Sequence, residues 1–184
     1  MSINKQLTDD KHQSRLFGLA GWSGSGKTTL AEKIIKIFVQ RGYSISSIKH
    51  AHHKFEADIV GKDSWRHRKA GAQQVIVSSD FRTAFFTEHQ KNNIPSLCDL
   101  IAKLNYTDFI LVEGYKKISI PKIEVYRKKN KKPNLYQKDK NIIAIASDNE
   151  IKNCPLPVID LNNCEDIVSF ILNFFTENIE NEKI

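Results

Sequence analysis

A chain of 184 residues, 40% hydrophobic and 27% charged, can bury one sizeable core and has the composition of an ordinary globular domain. No apolar run approaches the ~18 residues that a membrane-crossing helix needs, and the first fifteen residues lack the hydrophobic stretch of a secretion signal. Cys98, Cys154 and Cys164 are too scattered for a disulfide framework or a C-x-x-C metal pair, so the expectation is a cytoplasmic protein with reduced cysteines and no membrane partner.

The net charge of +7 has a location: Lys116 to Lys140 holds ten lysines or arginines against Glu124 and Asp139, a local +8, and the other residues sum to −1. A solvated loop is one reading of this basic lobe. Attraction of an anionic small molecule, an acidic protein or nucleic acid is another. Only Tyr126 and Tyr136 interleave the charges, which disfavours a nucleic-acid platform.

In chain order, residues 1–14 read as a mobile tail, 15–177 as a single nucleotide-binding domain that includes the basic lobe 116–140, and 178–184 as a second tail. Leu16 to Ala20 is an apolar strand that runs straight into Gly21-Trp22-Ser23-Gly24-Ser25-Gly26-Lys27-Thr28, which fits the phosphate-loop pattern G-x-x-x-x-G-K-[ST]. Glycines there let the backbone turn its N–H groups inward as an anion nest at a helix N-terminus. Lys27 reaches the outer phosphates and Thr28 offers its hydroxyl to Mg²⁺, while Gly21, Ser23, Gly24, Ser25, Gly26 and Thr29 complete the nucleotide-binding set.

Leu30, Ile34, Ile37 and Phe38 recur at helical spacing, and the helix is expected to end at Arg41-Gly42. Ser44 to Ile48 follows as a strand. A polar stretch then brings Lys49, His50, His52, His53, Asp63 and Arg66 to the edge where open α/β sheets bind ligands, as candidate phosphate or pterin contacts. These imidazoles find no partner at metal-ligand spacing. Asp58 to Gly61 matches D-x-x-G of switch GTPases, yet no apolar strand precedes it and the match is discounted.

Lys62 to Ala70 predicts a short helix, Gln74 to Ser78 and Thr83 to Thr87 an antiparallel hairpin, and Ser96 to Leu104 another helix. Phe109 to Val112 is continuously apolar and ends in Glu113-Gly114, as a central strand beside the phosphate loop would. Glu113 is therefore the candidate catalytic carboxylate, for the Mg²⁺ shell or for the attacking water, where nucleotide hydrolases usually carry Asp. Strands are predicted at Ile123–Tyr126, Ile142–Ala146 and Val158–Leu161, with a last helix through Ile167, Val168, Ile171, Leu172 and Phe175. No N/T-K-x-D guanine element exists. Asp148, at the end of a strand, is the candidate carboxylate for paired guanine N–H donors. The whole predicts an α/β phosphate-loop (P-loop) NTPase fold in three layers, a mostly parallel sheet with helices on both faces and an added antiparallel hairpin.

These residues resemble the molybdopterin-guanine dinucleotide biosynthesis protein B family, through GWSGSGKTTL at 21–30, IKHAHH at 48–53, GKDSWRHRKAGA at 61–72, LVEGYK at 111–116 and IAIASD at 143–148. The resemblance spans about residues 16 to 175. It implies a homodimer that binds GTP with Mg²⁺, hydrolyses it weakly, and assists a partner nucleotidyltransferase as GMP is attached to molybdopterin, giving the guanine dinucleotide. By that likeness Gly24, Gly26, Lys27, Thr28 and Thr29 bind phosphates and Mg²⁺, Glu113 completes the hydrolytic site, Asp148 lies near the base, and the basic lobe serves the anionic pterin or dimer contacts. Trp22 stands where the deviant loops of several dimeric ATPases carry a lysine, so no lysine in trans is expected there. Two other readings stay open: a small-molecule kinase, and a non-catalytic carrier or metallochaperone gated by nucleotide.

Overall fold

The computed structural model describes residues 14–51, 55–90 and 93–181. They form two compact units, one built from the chain up to His50 together with Ala102 onward, the other from Ala51 to Ile101. In the larger unit the strands are β1 (Arg15–Ala20), β2 (Ile45–Lys49), β5 (Phe109–Glu113), β6 (Lys122–Tyr126), β7 (Ile142–Ser147) and β8 (Val158–Asp160). They make one sheet in the order β2-β5-β1-β6-β7-β8, and every pairing is parallel. This is the expected P-loop NTPase-like sheet. From β1 the chain travels one way to β2 and later the other way to β6, β7 and β8, so the crevice opens at the carboxyl end of β1.

Helix α1 (Lys27–Gln40) begins inside the phosphate-loop motif and presents Leu30, Ile34, Ile37 and Phe38 to the sheet. Helix α4 (Cys164–Asn181) packs beside it through Ile167, Val168 and Ile171, and runs beyond residue 178, where a tail was expected. Between the helices and the sheet, Phe109 sits within ring-contact distance of Phe38 (4.5 Å), Tyr43 (5.4 Å) and Phe175 (6.0 Å). Such tilted and edge-on pairs add about 0.5–1.5 kcal/mol each beyond burial. On the other face Gly18 has no side chain, and Ile120 and Lys122 occupy the room: a Cβ there would lie 3.2 and 3.1 Å from them.

The smaller unit holds α2 (Asp63–Lys69), α3 (Leu97–Ile101) and a hairpin of β3 (Gln74–Ser78) and β4 (Thr83–Thr87), the two strands bounded as their alternation predicts. Arg68 on α2 gathers Asp58 at 3.2 Å, Glu88 at 2.8 Å and Glu56. Asp58, also bonded by Ser64, is thus a structural anchor, which accords with discounting D-x-x-G.

The basic lobe is less a solvated loop than its charge suggests. Residues 122–126 form an inner strand, and Lys122 and Glu124 are buried at 2% and 0% exposure. Lys122 donates to Asp139 at 2.7 Å and to the Lys116 carbonyl at 2.9 Å; Glu124 accepts the backbone N–H groups of Leu135 (2.7 Å) and Tyr136 (2.9 Å). Burial pushes the Glu124 carboxyl above its ordinary range even against those two donors. Burial alone would raise Asp139 as well, but the Lys122 ammonium and Asn141 hold it below the usual carboxylate range.

Glu124→Ala leaves two half-buried N–H groups without their carboxylate, at about 1 kcal/mol each. The expected result is a urea midpoint lowered accordingly and faster amide exchange at Leu135 and Tyr136. Unchanged exchange at both would show that the carboxylate does not hold the lobe.

Candidate functional site

The loop Gly21–Gly26 joins β1 to α1, and its residues Gly21 and Ser25 are buried while Ser23 and Gly24 stand open to solvent. Gly21 has φ +152, and a Cβ on it would lie 2.6 Å from the Val125 carbonyl oxygen, so β6 passes too close for any side chain. Partly buried Lys27 folds back over the loop and donates to the carbonyls of Gly21 (3.0 Å) and Trp22 (2.9 Å). Burial lowers its pKa, the Glu113 carboxylate opposes this, and the ammonium groups of Lys116 and Lys49 lower it further.

The register of the sheet delivers the second half of the site. Leu19 of β1 pairs with Glu113 of β5, and Glu113 pairs with Lys49 of β2. Three adjacent strand ends therefore meet in front of α1. Thr28 Oγ1 donates to Glu113 Oε1 at 3.0 Å; Lys49 Nζ lies 3.3 Å from Thr28 Oγ1 and 3.6 Å from Glu113 Oε2. A hydroxyl and a carboxylate side by side are hard oxygen donors of the kind Mg²⁺ takes, and an ammonium already lies against both. The donor set fits the metal.

Gly114, next to Glu113, has φ +96 and stands where the backbone is crowded. A Cβ on it would meet the His50 carbonyl oxygen at 2.9 Å, so the close approach it permits is by His50, whose N–H bonds the Glu113 carbonyl at 2.8 Å and whose ring stands edge-on to Tyr115. Lys49 and His50 thus join the site. Asp63 and Arg66 lie on exposed positions of α2 in the smaller unit, 3.9 Å apart as an ion pair, and His52 and His53 fall outside the described residues. Among the described residues no three His, Cys, Asp or Glu groups cluster as a metal centre.

Beyond the loop, Asp148 follows β7 and is held by Arg127 (3.3 Å), the Lys128 N–H (3.3 Å) and the Asn149 amide (2.6 Å). Burial would raise its pKa, and these donors bring it below the ordinary carboxylate range. Arg127 was not singled out by sequence. It also donates from Nε to the Ser25 carbonyl at 3.1 Å, so one guanidinium ties the phosphate loop to Asp148. The run of cations that follows it in sequence masks it, although it stands directly after β6, a strand adjacent to β1. A crevice of about 30 Å³ opens beside it, lined by Gly26, Thr29, Lys33, Leu161 and Asn162. Trp22 forms a second tie, its indole donating to the Pro133 carbonyl at 2.8 Å with Lys116 and Lys132 over the ring at 5.1 and 5.9 Å.

Comparison with known proteins converges on one family. The family model for molybdopterin guanine dinucleotide synthesis protein B matches residues 16–148. The chain is 41% identical over 170 residues to a molybdopterin-guanine dinucleotide biosynthesis adapter protein of Haemophilus influenzae, covering 89% of this chain and 90% of that one. To the adapter protein of that name from Escherichia coli it is 38% identical, covering 86% and 92%. Among solved structures, a molybdopterin-guanine biosynthesis protein B superposes with a TM-score of 0.69 at 24% identity, over 86% of this chain and 99% of that one. Bacillus subtilis MobB superposes with 0.66 at 27% identity, over 84% and 96%.

Two single substitutions separate crowding from conformation in the loop. Gly21→Ala forces a methyl against the Val125 carbonyl and is expected to cost about 2–4 kcal/mol in thermal unfolding. Gly24→Ala, whose φ is +77 but whose Cβ would meet nothing within 4 Å, is expected to cost only about 1 kcal/mol. Equal losses would contradict the packing account.

Proposed function

This chain belongs to the molybdopterin guanine dinucleotide synthesis protein B family and has its adapter role in molybdopterin guanine dinucleotide biosynthesis, and from that premise we propose that it is a GTP-binding, weakly hydrolysing adapter that assists a partner nucleotidyltransferase as GMP is joined to molybdopterin in the cytoplasm. The observation that carries the reading is the contact of Thr28 with Glu113 at 3.0 Å in front of the phosphate loop. No helix among the described residues is long and apolar enough to cross a membrane.

In this mechanism the inward N–H groups of the loop hold the phosphate chain, and Lys27 exchanges its loop carbonyls for phosphate oxygens. Mg²⁺, held by Thr28 and Glu113, would supply charge neutralisation for the leaving phosphate oxygens. Glu113 also orients the attacking water. Water adds to the terminal phosphorus, the bond to the bridging oxygen breaks, and GDP leaves with phosphate. Arg127 is engaged by Ser25 and Asp148, and turnover stays slow without a further cation supplied at the terminal phosphate. Asp148 stands beside Arg127 at the ends of β7 and β6, the sheet edge proposed for the base, and Asp148 can accept the two adjacent N–H donors of guanine. Lys49 and His50 in the larger unit remain proposed contacts for phosphate or pterin, and so, separately, do Asp63 and Arg66 in the smaller one. The kinase and carrier readings gain no specific support.

A homodimer belongs to the same reading. Hairpin residues Ile76 (64% exposed), Val77 (44%) and Phe81 (99%) leave apolar area in water, and β3 and β4 pair only with each other among the described residues. A second copy would cover both.

Calorimetry with Mg²⁺ is expected to show GTP binding at least tenfold tighter than ATP, with Asp148→Asn erasing most of that difference and Lys27→Ala abolishing both; a preference for ATP overturns the guanine assignment. Sedimentation of the full chain is expected to give a dimer that Phe81→Asp shifts toward monomer, and an unshifted dimer would move the interface away from the hairpin.

A further inference from the structure

The peptide joining Ser25 to Gly26 is held from one side. Arg127 donates from Nε to the Ser25 carbonyl oxygen at 3.1 Å, and its guanidinium lies so near Gly26 that a Cβ there would stand 3.4 Å from Nε and 3.5 Å from Nη2. A trans peptide is planar, so its C=O and N–H point in opposite directions. Fastening the Ser25 oxygen toward Arg127 therefore aims the Gly26 N–H away from it. Gly26 is the N-cap of α1, in the left-handed region at φ +93, and the first N–H groups of a helix have no acceptor within it. Nothing inside α1 sets the direction of this peptide; a side chain from β6 does.

That side chain is itself braced. Arg127 Nη1 donates to Asp148 Oδ2 at 3.3 Å, and among the described residues Arg127 pairs with no other carboxylate. Asp148 is fixed separately through Oδ1, which accepts the Lys128 N–H at 3.3 Å and the Asn149 amide at 2.6 Å. A guanidinium holds its donors in a rigid planar fork, so one acceptor orients it toward the other. An ammonium, as a point charge on a flexible stem, transmits no such direction.

We propose that Arg127 is a positioning residue of the phosphate loop: braced by Asp148, it sets the direction of the peptide between Ser25 and Gly26, and Asp148 thereby acts on phosphates that it does not touch. The inference rests on the reading that the loop takes a phosphate chain, and it holds whichever base Asp148 meets.

Inorganic tripolyphosphate with Mg²⁺, a phosphate chain without a base, is the probe for calorimetry on the full chain. Asp148→Asn removes a negative charge near a bound anion, which by through-space attraction alone would tighten binding. Loss of the brace does the opposite, and about threefold weaker binding is expected. Arg127→Lys keeps the charge and loses the fork; it is expected to weaken the probe about tenfold, the size of one lost charge-assisted hydrogen bond. The double variant should bind no more weakly than Arg127→Lys alone, because both changes act through one contact. Both side chains reach solvent, 28% and 21% exposed, so the melting temperature should stay near that of the wild type. The Gly26 amide resonance of the ligand-free chain is expected to move in each single variant. Unchanged or tighter binding by Asp148→Asn overturns the proposal, as does wild-type binding by Arg127→Lys or additive weakening in the double variant. Weakened binding with an unmoved Gly26 resonance overturns it too, by making Arg127 a direct phosphate contact. Failure of the wild-type chain to bind tripolyphosphate is a separate result: it removes the phosphate-loop reading, and the inference with it.

Discussion

The parallel register of β1 with β5 is the constraint from which the site is assembled. Pairing Leu19 with Glu113 sets the carboxylate one strand away from the point where the chain leaves the sheet for the phosphate loop, and pairing Glu113 with Lys49 sets an ammonium one strand further. A slip of one residue would turn Glu113 to the opposite face, because side chains alternate along a strand. The aromatic packing around Phe109, at the other end of β5, seats that strand in the core. Chemistry at one end of the strand is thus held by packing at the other.

Around the loop, ties that differ in kind converge. Lys27 satisfies two loop carbonyls, Arg127 satisfies a third, and Trp22 is fastened by its indole to the basic lobe. A glycine-rich loop left alone would lose much conformational freedom on ordering. Here the surrounding side chains hold the loop before any phosphate arrives, and they do so from positions scattered over more than a hundred residues of sequence.

How much of this was legible depended on where the determining information lies. The phosphate-loop pattern is local, every fixed position falling within eight residues, and the strand, loop and helix it predicts are the ones observed. The hairpin Gln74–Ser78 and Thr83–Thr87 was likewise read to its boundaries, because alternation and a four-residue turn are also local. Glu113 ends its strand as expected, because the four residues before it are all apolar. By contrast Lys122-Ile123-Glu124-Val125 alternates like a strand with one wet face, yet all four residues are buried. The partners that make this affordable, Asp139 and the N–H groups of Leu135 and Tyr136, come from a stretch that composition marks as basic and solvated. Arg127 was hidden within the run of cations that follows it, and nothing in a charge count distinguishes the one guanidinium that turns inward to the loop. The crowding at Gly114 is equally invisible to a local reading, because it comes from His50, a neighbour created by strand pairing.

The setting of Trp22 also gives the molecule an intrinsic optical reporter. The chain has two tryptophans. Trp65 belongs to the smaller unit, on α2 with the Lys69 ammonium over its ring, whereas Trp22 lies between phosphate loop and basic lobe with two ammonium groups near its ring. Indole emission shifts with nearby charge and with hydrogen bonding at its nitrogen, so replacing Trp65 with phenylalanine would leave a single tryptophan, excitable apart from the tyrosines, whose colour follows the state of the loop and lobe without any attached dye.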